Sequence, residues 1–272
     1  MRRDPVKWYP MKGLLDDPFN NRSLVRAIHI LSCFQFERPE IGLSELAAIS
    51  GIPKATVHRL ASTLVYAGVL NFDEQSKRYS LGIRLFELGS IVRASFSLTK
   101  AASPHLSRLH VKIDGHTVFL GVLRGDKLIY IDKREDASSI RFATNIGQPR
   151  PPHFGVLGQV LMAFLPEDEM DRLLKAEPLR PLTAKTITDS QLFKERVRLI
   201  RQQGYLVEEG EAFNMIAGIA APVRDSSAKV VAAVGVGLLS SLVDYQGIGE
   251  IVVQTVNTAA LISRDLGYLA RP

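Results

Sequence analysis

Apolar residues recur at helical spacing over residues 43–66 and then at strand spacing over residues 69–81. The apolar sides of the two predicted helices are formed by Leu46, Ala47 and Ile49, and by Val57, Leu60, Ala61 and Leu64. Gly51 suits the left-handed position that ends a helix, and Pro53 suits the first turn of the next one. Ser44 is the predicted N-cap of the first helix. The pattern therefore predicts a helix, a tight turn, a second helix and a hairpin.

The outward side of the second helix is small, basic and rich in hydrogen-bonding groups. It carries Lys54, Ala55, His58, Arg59, Ser62 and Tyr66, with Thr56 at its flank. Such a helix fits the major groove of DNA, and Arg59 has the guanidinium fork that binds guanine O6 and N7 or a phosphate. Lys77 and Arg78 fall near the hairpin tip, where a wing meets the sugar-phosphate backbone, and Ser44 can bond a phosphate when it does not cap. The sequence therefore predicts a winged helix-turn-helix that reads double-stranded DNA.

The remaining pattern predicts helices and strands on both sides of this motif. A helix is predicted over 23–37, capped by Ser23, and another over 83–101. The apolar side of the latter exceeds what so small a domain can bury, which indicates packing on a partner subunit. Further strands are predicted over 117–123, 128–133, 139–144, 206–208, 216–223 and 230–237, and further helices over 156–165, 167–175, 189–203 and 242–266. This order predicts an α+β fold with a largely antiparallel sheet.

Positive charge is concentrated in the first part of the chain. The 272 residues carry a net charge of +6. Residues 1–103 hold 14 Lys and Arg against 9 Asp and Glu, whereas residues 104–272 hold 20 against 19. The excess therefore lies with the helix-turn-helix, as phosphate binding requires.

The sequence also indicates a cytoplasmic protein. No run of about 18 uninterrupted apolar residues is present to span a bilayer, and the N-terminus lacks the apolar run of a signal peptide. Cys33 is the single cysteine and lies among apolar residues, so we interpret it as a small core residue in a reducing compartment.

Catalytic and metal-binding chemistry finds little support in the sequence. The spacing of His105, His110, His116 and His153 does not make a zinc site. The acidic cluster over 167–171 opens a helix, where the macrodipole favours carboxylates. Because no GxSxG, phosphate-loop or dinucleotide motif occurs, we predict no catalytic residue, metal or cofactor. The alternatives are a winged helix used only for protein contacts, against which the retained basic face argues, and an enzyme in the second half.

Nearly the whole chain after the first 22 residues resembles the IclR family of bacterial transcriptional regulators. The segments that carry the resemblance are SLVRAIHIL, LSELAAISGIPKATVHRL, VLNFDEQSKRYSLGIRLFELG, GYLVEEGEAFNMIAGIAAPVRD and VVAAVGVG. The resemblance implies a winged helix, a linker helix and a C-terminal domain built like a GAF or profilin-type antiparallel sheet with flanking helices. It also implies homodimers through the N-terminal half and homotetramers through the C-terminal half. The expected division is a flexible tail over 1–22, a DNA-binding domain over 23–82, a linker helix over 83–103 and a ligand-sensing and oligomerisation domain over 104–272.

The resemblance further implies a small-molecule effector in a cavity over the sheet. The matching positions are Val156, Leu157, Glu208, Ile216, Gly218, Gly235 and Gly237. Family members that sense small oxo-acids usually carry a cysteine at the place of Gly218 and hydroxyl residues at Gly235 and Gly237. Glycine at all three positions favours a larger cavity and a larger ligand, such as an aromatic acid. The alternative is that these glycines admit close packing of backbone or of a helix.

The charges near this cavity leave two interpretations open. An acidic ligand needs a cation or aligned N–H groups, and Arg134, Arg141 and Arg150 all lie near the cavity segments. Glu208 argues the other way, because a carboxylate favours a ligand hydroxyl or amine.

The resemblance and the geometry of DNA together predict a mechanism. A dimer presents two recognition helices about 34 Å apart, so the operator is expected to be a pseudo-palindrome. The effector acts by preferring one arrangement of the DNA-binding domains. Repression or activation then depends on where the operator lies relative to the promoter.

Overall fold

The computed structural model describes residues 21–95, 97–136, 144–242 and 245–269. The chain folds as two compact units that divide after Ser95. Within the described ranges, no helix is both long and apolar enough to cross a bilayer. All but two residues of the predicted tail, and all but one of the predicted strand over 139–144, lie outside the described residues.

The first unit is a small helical bundle with a three-stranded antiparallel sheet. Its elements are α1 (Arg22–Leu31), β1 (Glu40–Gly42), α2 (Leu43–Ser50), α3 (Lys54–Tyr66), β2 (Leu70–Asp73), β3 (Arg78–Leu81) and α4 (Ile83–Ser95). The strands lie in the order β1-β3-β2. The core includes Ile30, Leu46, Val57 and Leu70, which come from three helices and the hairpin. Burial of these side chains fixes which face of α3 remains outside.

Helix ends in this unit confirm one prediction and correct three. Gly51 has a φ of 66°, the left-handed conformation that lets α2 turn into α3. Ser44 does not cap α2, because β1 runs directly into the helix and places Gly42 at the N-cap. Ser23 does not cap α1 either, since the Asn21 side chain accepts hydrogen bonds from the N–H groups of Ser23 and Leu24. Pro53 lies directly before α3 rather than in its first turn.

The second unit is a six-stranded antiparallel sheet covered by helices on both faces. Its strands are β4 (Thr117–Arg124), β5 (Lys127–Arg134), β6 (Pro149–Arg150), β7 (Leu206–Glu209), β8 (Ile216–Arg224) and β9 (Val230–Leu239). Its helices are α5 (Ser97–Lys112), α6 (Gly155–Ala163), α7 (Glu167–Ala176), α8 (Ser190–Gln203), a 3-10 turn (Ser240–Leu242) and α9 (Tyr245–Asp265). The strand order is β6-β5-β4-β9-β8-β7. The predicted α+β class with an antiparallel sheet is confirmed.

Each face of this sheet has its own hydrophobic core. One core joins the sheet to α6, α7 and α8, and the other joins it to α5 and α9. Strand residues that lie directly opposite each other share a face, so the register places one row across four strands on the same side: Thr117, Gly237, Gly218 and Glu208. Val156 of α6 lies against Gly218, so this row faces α6.

Two short strands and one long helix differ from the sequence pattern. Strands β1 and β6 have three and two residues, too few to show an alternating pattern. Helix α5 continues through Pro104, where the sequence pattern changes character. The predicted division of the chain into four segments stays a prediction.

Candidate functional site

The outward face of α3 is exposed along the whole helix. Val57 and Ala61 are fully buried and anchor the inner face. Lys54, His58, Arg59 and Ser62 are all exposed, whereas Thr56 is half-buried at the flank. Tyr66 at the end of the helix is 96% exposed. The helix therefore presents a continuous polar and basic face, as the helical spacing predicted.

Some polar side chains on this face form bonds within the protein, and others do not. Within the described residues, neither Lys54 nor Arg59 forms an ion pair, so both cations are available to an anionic partner. The Ser62 hydroxyl donates to the carbonyl of His58 at 2.9 Å. That bond leaves the Ser62 oxygen as an acceptor. Ser44 at the start of α2 is exposed.

The wing has a turn that its own side chains organise. Asp73 accepts hydrogen bonds from the N–H groups of Gln75 and Ser76 at 2.9 and 2.6 Å. These bonds hold the pKa of the Asp73 carboxyl below its usual range. The turn brings Lys77 to a positive φ of 55° at the tip.

The two basic wing residues are placed differently. Lys77 is exposed. Its ammonium pairs with Glu74 at 2.7 Å, a surface pair of little strength, and lies 5.9 Å from the centre of the Phe72 ring. Arg78 instead donates to the carbonyl of Glu40 at 3.0 Å and lies 3.7 Å from the Glu45 carboxylate. Lys77 therefore remains exposed to solvent, whereas Arg78 bonds the wing to β1 and α2.

In the second unit, the glycines of the sheet lie directly under the start of α6. A Cβ on Gly218 would lie 2.9 Å from Cγ1 of Val156, and one on Gly235 would lie 3.0 Å from Cγ of Leu157. Both distances are too short for a side chain. The expected enlargement of the cavity at these two positions is wrong, because the α6 side chains fill the space that the glycines leave. Gly237 is buried and Ile216 is half-buried.

Glu208 is a buried carboxyl at the edge of this packing. Its side chain is nearly inaccessible, and its Oε2 accepts a hydrogen bond from the backbone N–H of Glu211 at 2.7 Å. Its Oε1 would lie 3.1 Å from a Cβ on Gly218, which places that oxygen over β8. Burial raises the pKa of Glu208 to about 7. No ion pair forms on this carboxyl within the described part of the chain.

Glu211 connects the loop after β7 to two helices. Its carboxylate accepts from Arg196 of α8 at 2.9 Å and from Gln159 of α6 at 3.4 Å. Its carbonyl accepts from the Thr186 hydroxyl at 2.7 Å. Sequence spacing does not reveal these partners on α6 and α8.

The three candidate arginines lie in different places. Arg134 pairs with Asp132 and donates to Ser103 of α5, which commits it to the other face of the sheet. Arg141 lies outside the described residues. Arg150 lies over the Phe154 ring at 5.1 Å, beside the start of α6.

Arg150 and Glu208 both lie near the buried Tyr130. Burial holds the pKa of Tyr130 far above its usual range, with the Arg150 charge opposing that shift and the Glu208 charge adding to it. Phe154 is the N-cap of helix α6, and its side chain makes no capping hydrogen bond. The first N–H groups of the helix therefore have no side-chain cap as acceptor. Of the three candidate arginines, Arg150 is therefore the one that lies beside the start of α6.

The side chains considered for other chemistry have structural roles. His105 contacts Asp265 at 2.7 Å, His110 contacts Asp136 at 3.0 Å, and His153 contacts the carbonyl of Glu177 at 3.1 Å. Within the described ranges, no three His, Cys, Asp or Glu side chains gather as metal ligands would. Cys33 is buried in the first core, and burial raises the pKa of its thiol to about 11, as expected of a core residue.

Comparisons with known proteins cover both units. The family model described as the IclR helix-turn-helix domain matches residues 23–74, and that for the C-terminal domain of IclR bacterial transcriptional regulators matches residues 92–264. The transcriptional regulator KipR of Bacillus subtilis is 30% identical over 91% of this chain and 98% of its own. A solved transcriptional regulator from Alicyclobacillus acidocaldarius is 27% identical, with a TM-score of 0.81 over 92% of this chain and 100% of its own. A protein from Microbacterium hydrocarbonoxydans, solved with 4-hydroxybenzoate, shares the fold at 23% identity and a TM-score of 0.79, over 90% of this chain and 98% of its own.

Proposed function

The chain belongs to the IclR family of bacterial transcriptional regulators, and we propose that it binds a pseudo-palindromic operator whose affinity an organic acid controls. The known members it matches are regulators and not enzymes. The observation that carries the proposal is the exposed face of α3, on which Lys54 and Arg59 form no ion pair within the described residues. A cationic helix face of this kind gains its binding energy from phosphates and base edges.

Each DNA-contacting group has a distinct part in this proposal. Arg59 and His58 lie mid-helix and read bases, and Lys54 in the first turn meets a phosphate or a base edge. Ser44, Thr56 and Ser62 add hydrogen bonds at the flanks of the groove. On the wing, Lys77 provides backbone attraction without sequence preference, and Arg78 contributes mainly by holding the wing in place.

The effector site lies at the start of α6 in the second unit. Val156, Leu157 and Ile216 supply apolar surface, and Phe154 and Phe213 lie with ring centroids 5.8 Å apart. Arg150 and the uncapped first turn of α6 supply positive charge for a carboxylate. An acid with an aromatic or other apolar part matches these groups. The 4-hydroxybenzoate bound by the protein from Microbacterium hydrocarbonoxydans makes benzoates the first acids to test.

The regulator acts as a homodimer, or as a homotetramer of two such dimers, in the cytoplasm. Exposed apolar side chains along α4 include Ile83, Phe86 and Ile91, which are 65%, 73% and 61% exposed. An apolar face of this size on a helix favours burial against a second copy. Dimerisation then supplies the two recognition helices that a pseudo-palindrome requires.

The experiment that tests DNA binding is a fluorescence anisotropy titration with fragments from upstream of the protein's own gene and its neighbours. Wild type is expected to select one fragment, and Arg59→Ala to weaken that complex by about 1–3 kcal/mol while leaving non-specific binding nearly unchanged. Lys175→Ala, which removes an exposed charge from the second unit, is the matched control. Selective binding that Arg59→Ala leaves intact would contradict the role of Arg59. Failure of the folded protein to select any fragment would favour a protein-interaction role instead.

A further inference from the structure

Glu208 is a carboxyl in a place where a charged carboxylate has few partners. It is 6% exposed, its Oε2 accepts a hydrogen bond from the backbone N–H of Glu211, and the backbone N–H of Ala212 also favours its ionised form. Arg196 is the nearby cation on α8, but its guanidinium is bonded to the Glu211 carboxylate. A buried carboxylate without a cation is costly, so a proton on Glu208 is favoured well above the pH at which an exposed glutamate ionises.

The charges that face Glu208 come from several elements. Burial and the Glu211 carboxylate oppose ionisation of Glu208, whereas the N–H groups of Glu211 and Ala212 and the Arg196 charge favour it. Tyr130 on β5 is neutral, and Arg150 on β6 provides a positive charge near it. Next to the carboxyl, β8 contributes Gly218 and α6 contributes Val156, and neither carries a charge. Arg150 thus contributes positive charge to this part of the unit, and Glu208 is the carboxyl there whose ionised form burial disfavours.

One oxygen of the Glu208 carboxyl lies beside residues that we propose to form the effector site. Its Oε2 is occupied by the Glu211 N–H, and its Oε1 lies over Gly218 next to Val156. The side chain of Gln159, also 6% exposed, has a buried Oε1 that finds no hydrogen-bond partner within the described part of the chain. A buried polar oxygen beside the Glu211 loop therefore lacks the partner that such a group normally has.

We propose that Glu208 contacts the effector as a neutral carboxylic acid, donating its O–H to an oxygen of an organic anion. This inference rests on the proposed function, and it removes the conflict between an acidic ligand and an acidic residue at one site. A carboxylate ligand accepts the proton of Glu208 in a hydrogen bond while Arg150 balances its charge. Ionised Glu208 would instead repel the ligand.

Proton uptake follows from this contact. An anion bound against Glu208 raises the pH at which that carboxyl ionises, so each bound ligand brings up to one proton with it. Affinity is constant where free Glu208 is already protonated. Above that range it falls by about tenfold for each pH unit.

The test is calorimetric titration of the full chain with benzoate and 4-hydroxybenzoate from about pH 6 to about pH 8.5, in two buffers of different ionisation enthalpy. Benzoate stays ionised over this range, so any pH dependence belongs to the protein. For wild type we expect a loss of about tenfold or more in affinity across the range and an uptake approaching one proton per site at the upper end. Glu208→Gln keeps an N–H donor and is expected to bind without pH dependence. Glu209→Gln, which alters the exposed neighbouring carboxyl, is expected to keep the wild-type slope.

The outcomes separate this inference from the proposed function. Binding by wild type with no pH dependence and no proton uptake would overturn the role of Glu208, and so would a wild-type slope in Glu208→Gln. Thermal melting verifies that Glu208→Gln is folded. If it is not, the proton count measured on wild type decides the question. If neither acid binds wild type at any pH, sensing of aromatic acids fails as a function, and the inference falls with it.

Discussion

Leu157 of α6 packs directly over Gly235 of β9, so that a Cβ on Gly235 would lie 3.0 Å from the Leu157 Cγ. The same leucine lies over Gly121 of β4, where a Cβ would come 2.9 Å from its Cδ2. One side chain therefore depends on glycines in two neighbouring strands. The glycines therefore serve the close approach of the helix to the sheet.

This packing predicts how the sheet responds to added volume. Gly235→Ala is expected to lower the free energy of unfolding by about 1–3 kcal/mol, because its Cβ overpacks against Leu157 and the Ile219 carbonyl. Urea denaturation measures the change. The double variant Gly235→Ala with Leu157→Ala is expected to cost less than the sum of the two single changes, because the smaller residue makes room. Strict additivity would contradict the contact.

The raised pKa of Glu208 predicts a pH-dependent stability. In the unfolded chain the carboxyl has the ordinary glutamate pKa of 4.5, and in the folded protein burial raises the pKa to about 7. Between these values the folded state binds more protons, so the free energy of unfolding falls as pH rises, by roughly 3 kcal/mol in total. The contribution is fully present below the lower value and is lost by the upper one. Unfolding curves in urea across this range are expected to show the decline in wild type and to lack this component in Glu208→Gln; equal slopes would contradict it.

Lys77 and Arg59 are expected to differ in the kind of affinity they contribute. Lys77 lies at the wing tip, so Lys77→Ala is expected to weaken binding about equally for all DNA sequences. The slope of log affinity against log salt concentration is expected to fall by about 1. Anisotropy titrations on operator and unrelated DNA over a salt series measure both effects. A loss confined to the operator would place Lys77 against a base instead.

Thr117 at the start of β4 offers a test of a buried polar atom. It is 1% exposed, and its hydroxyl oxygen has no hydrogen-bond partner among the residues that the structure describes. Thr117→Val keeps the shape and removes that oxygen, so it is expected to raise the free energy of unfolding by about 1 kcal/mol. Thr255→Val is the matched control, because the buried Thr255 hydroxyl donates to the carbonyl of Ile251 at 2.7 Å and its loss is expected to destabilise. A destabilised Thr117→Val would show that the hydroxyl has a partner in solution.

Features that depend on neighbours in the chain could be predicted from the sequence. The exposed face of α3 follows from helical spacing, and the turn at Gly51 follows from the conformation that only glycine adopts easily. The cap of α8 at Asp189 belongs to the same class, since its partners are two and three residues away. Local geometry alone was enough for each of them.

Features that depend on contacts between distant segments could not be predicted from the sequence. The glycines at 218 and 235 fit an open cavity or a close helix equally well until the position of α6 is known. Glu211 meets Gln159 and Arg196, which lie 52 and 15 residues away in the chain, so its role as a hub has no local signal. The N-caps Asn21 and Gly42 were not predicted, because Ser23 and Ser44 lie two residues later and serine is itself a favoured N-cap residue.

The measurement that tests the account most directly is the affinity of the full chain for its operator fragment with and without benzoate. We expect a salt-sensitive, sequence-selective complex that Arg59→Ala weakens and whose affinity changes when the acid is added. A selective complex whose affinity no organic acid alters would contradict ligand control. Equal affinity for all DNA sequences would contradict operator recognition by α3.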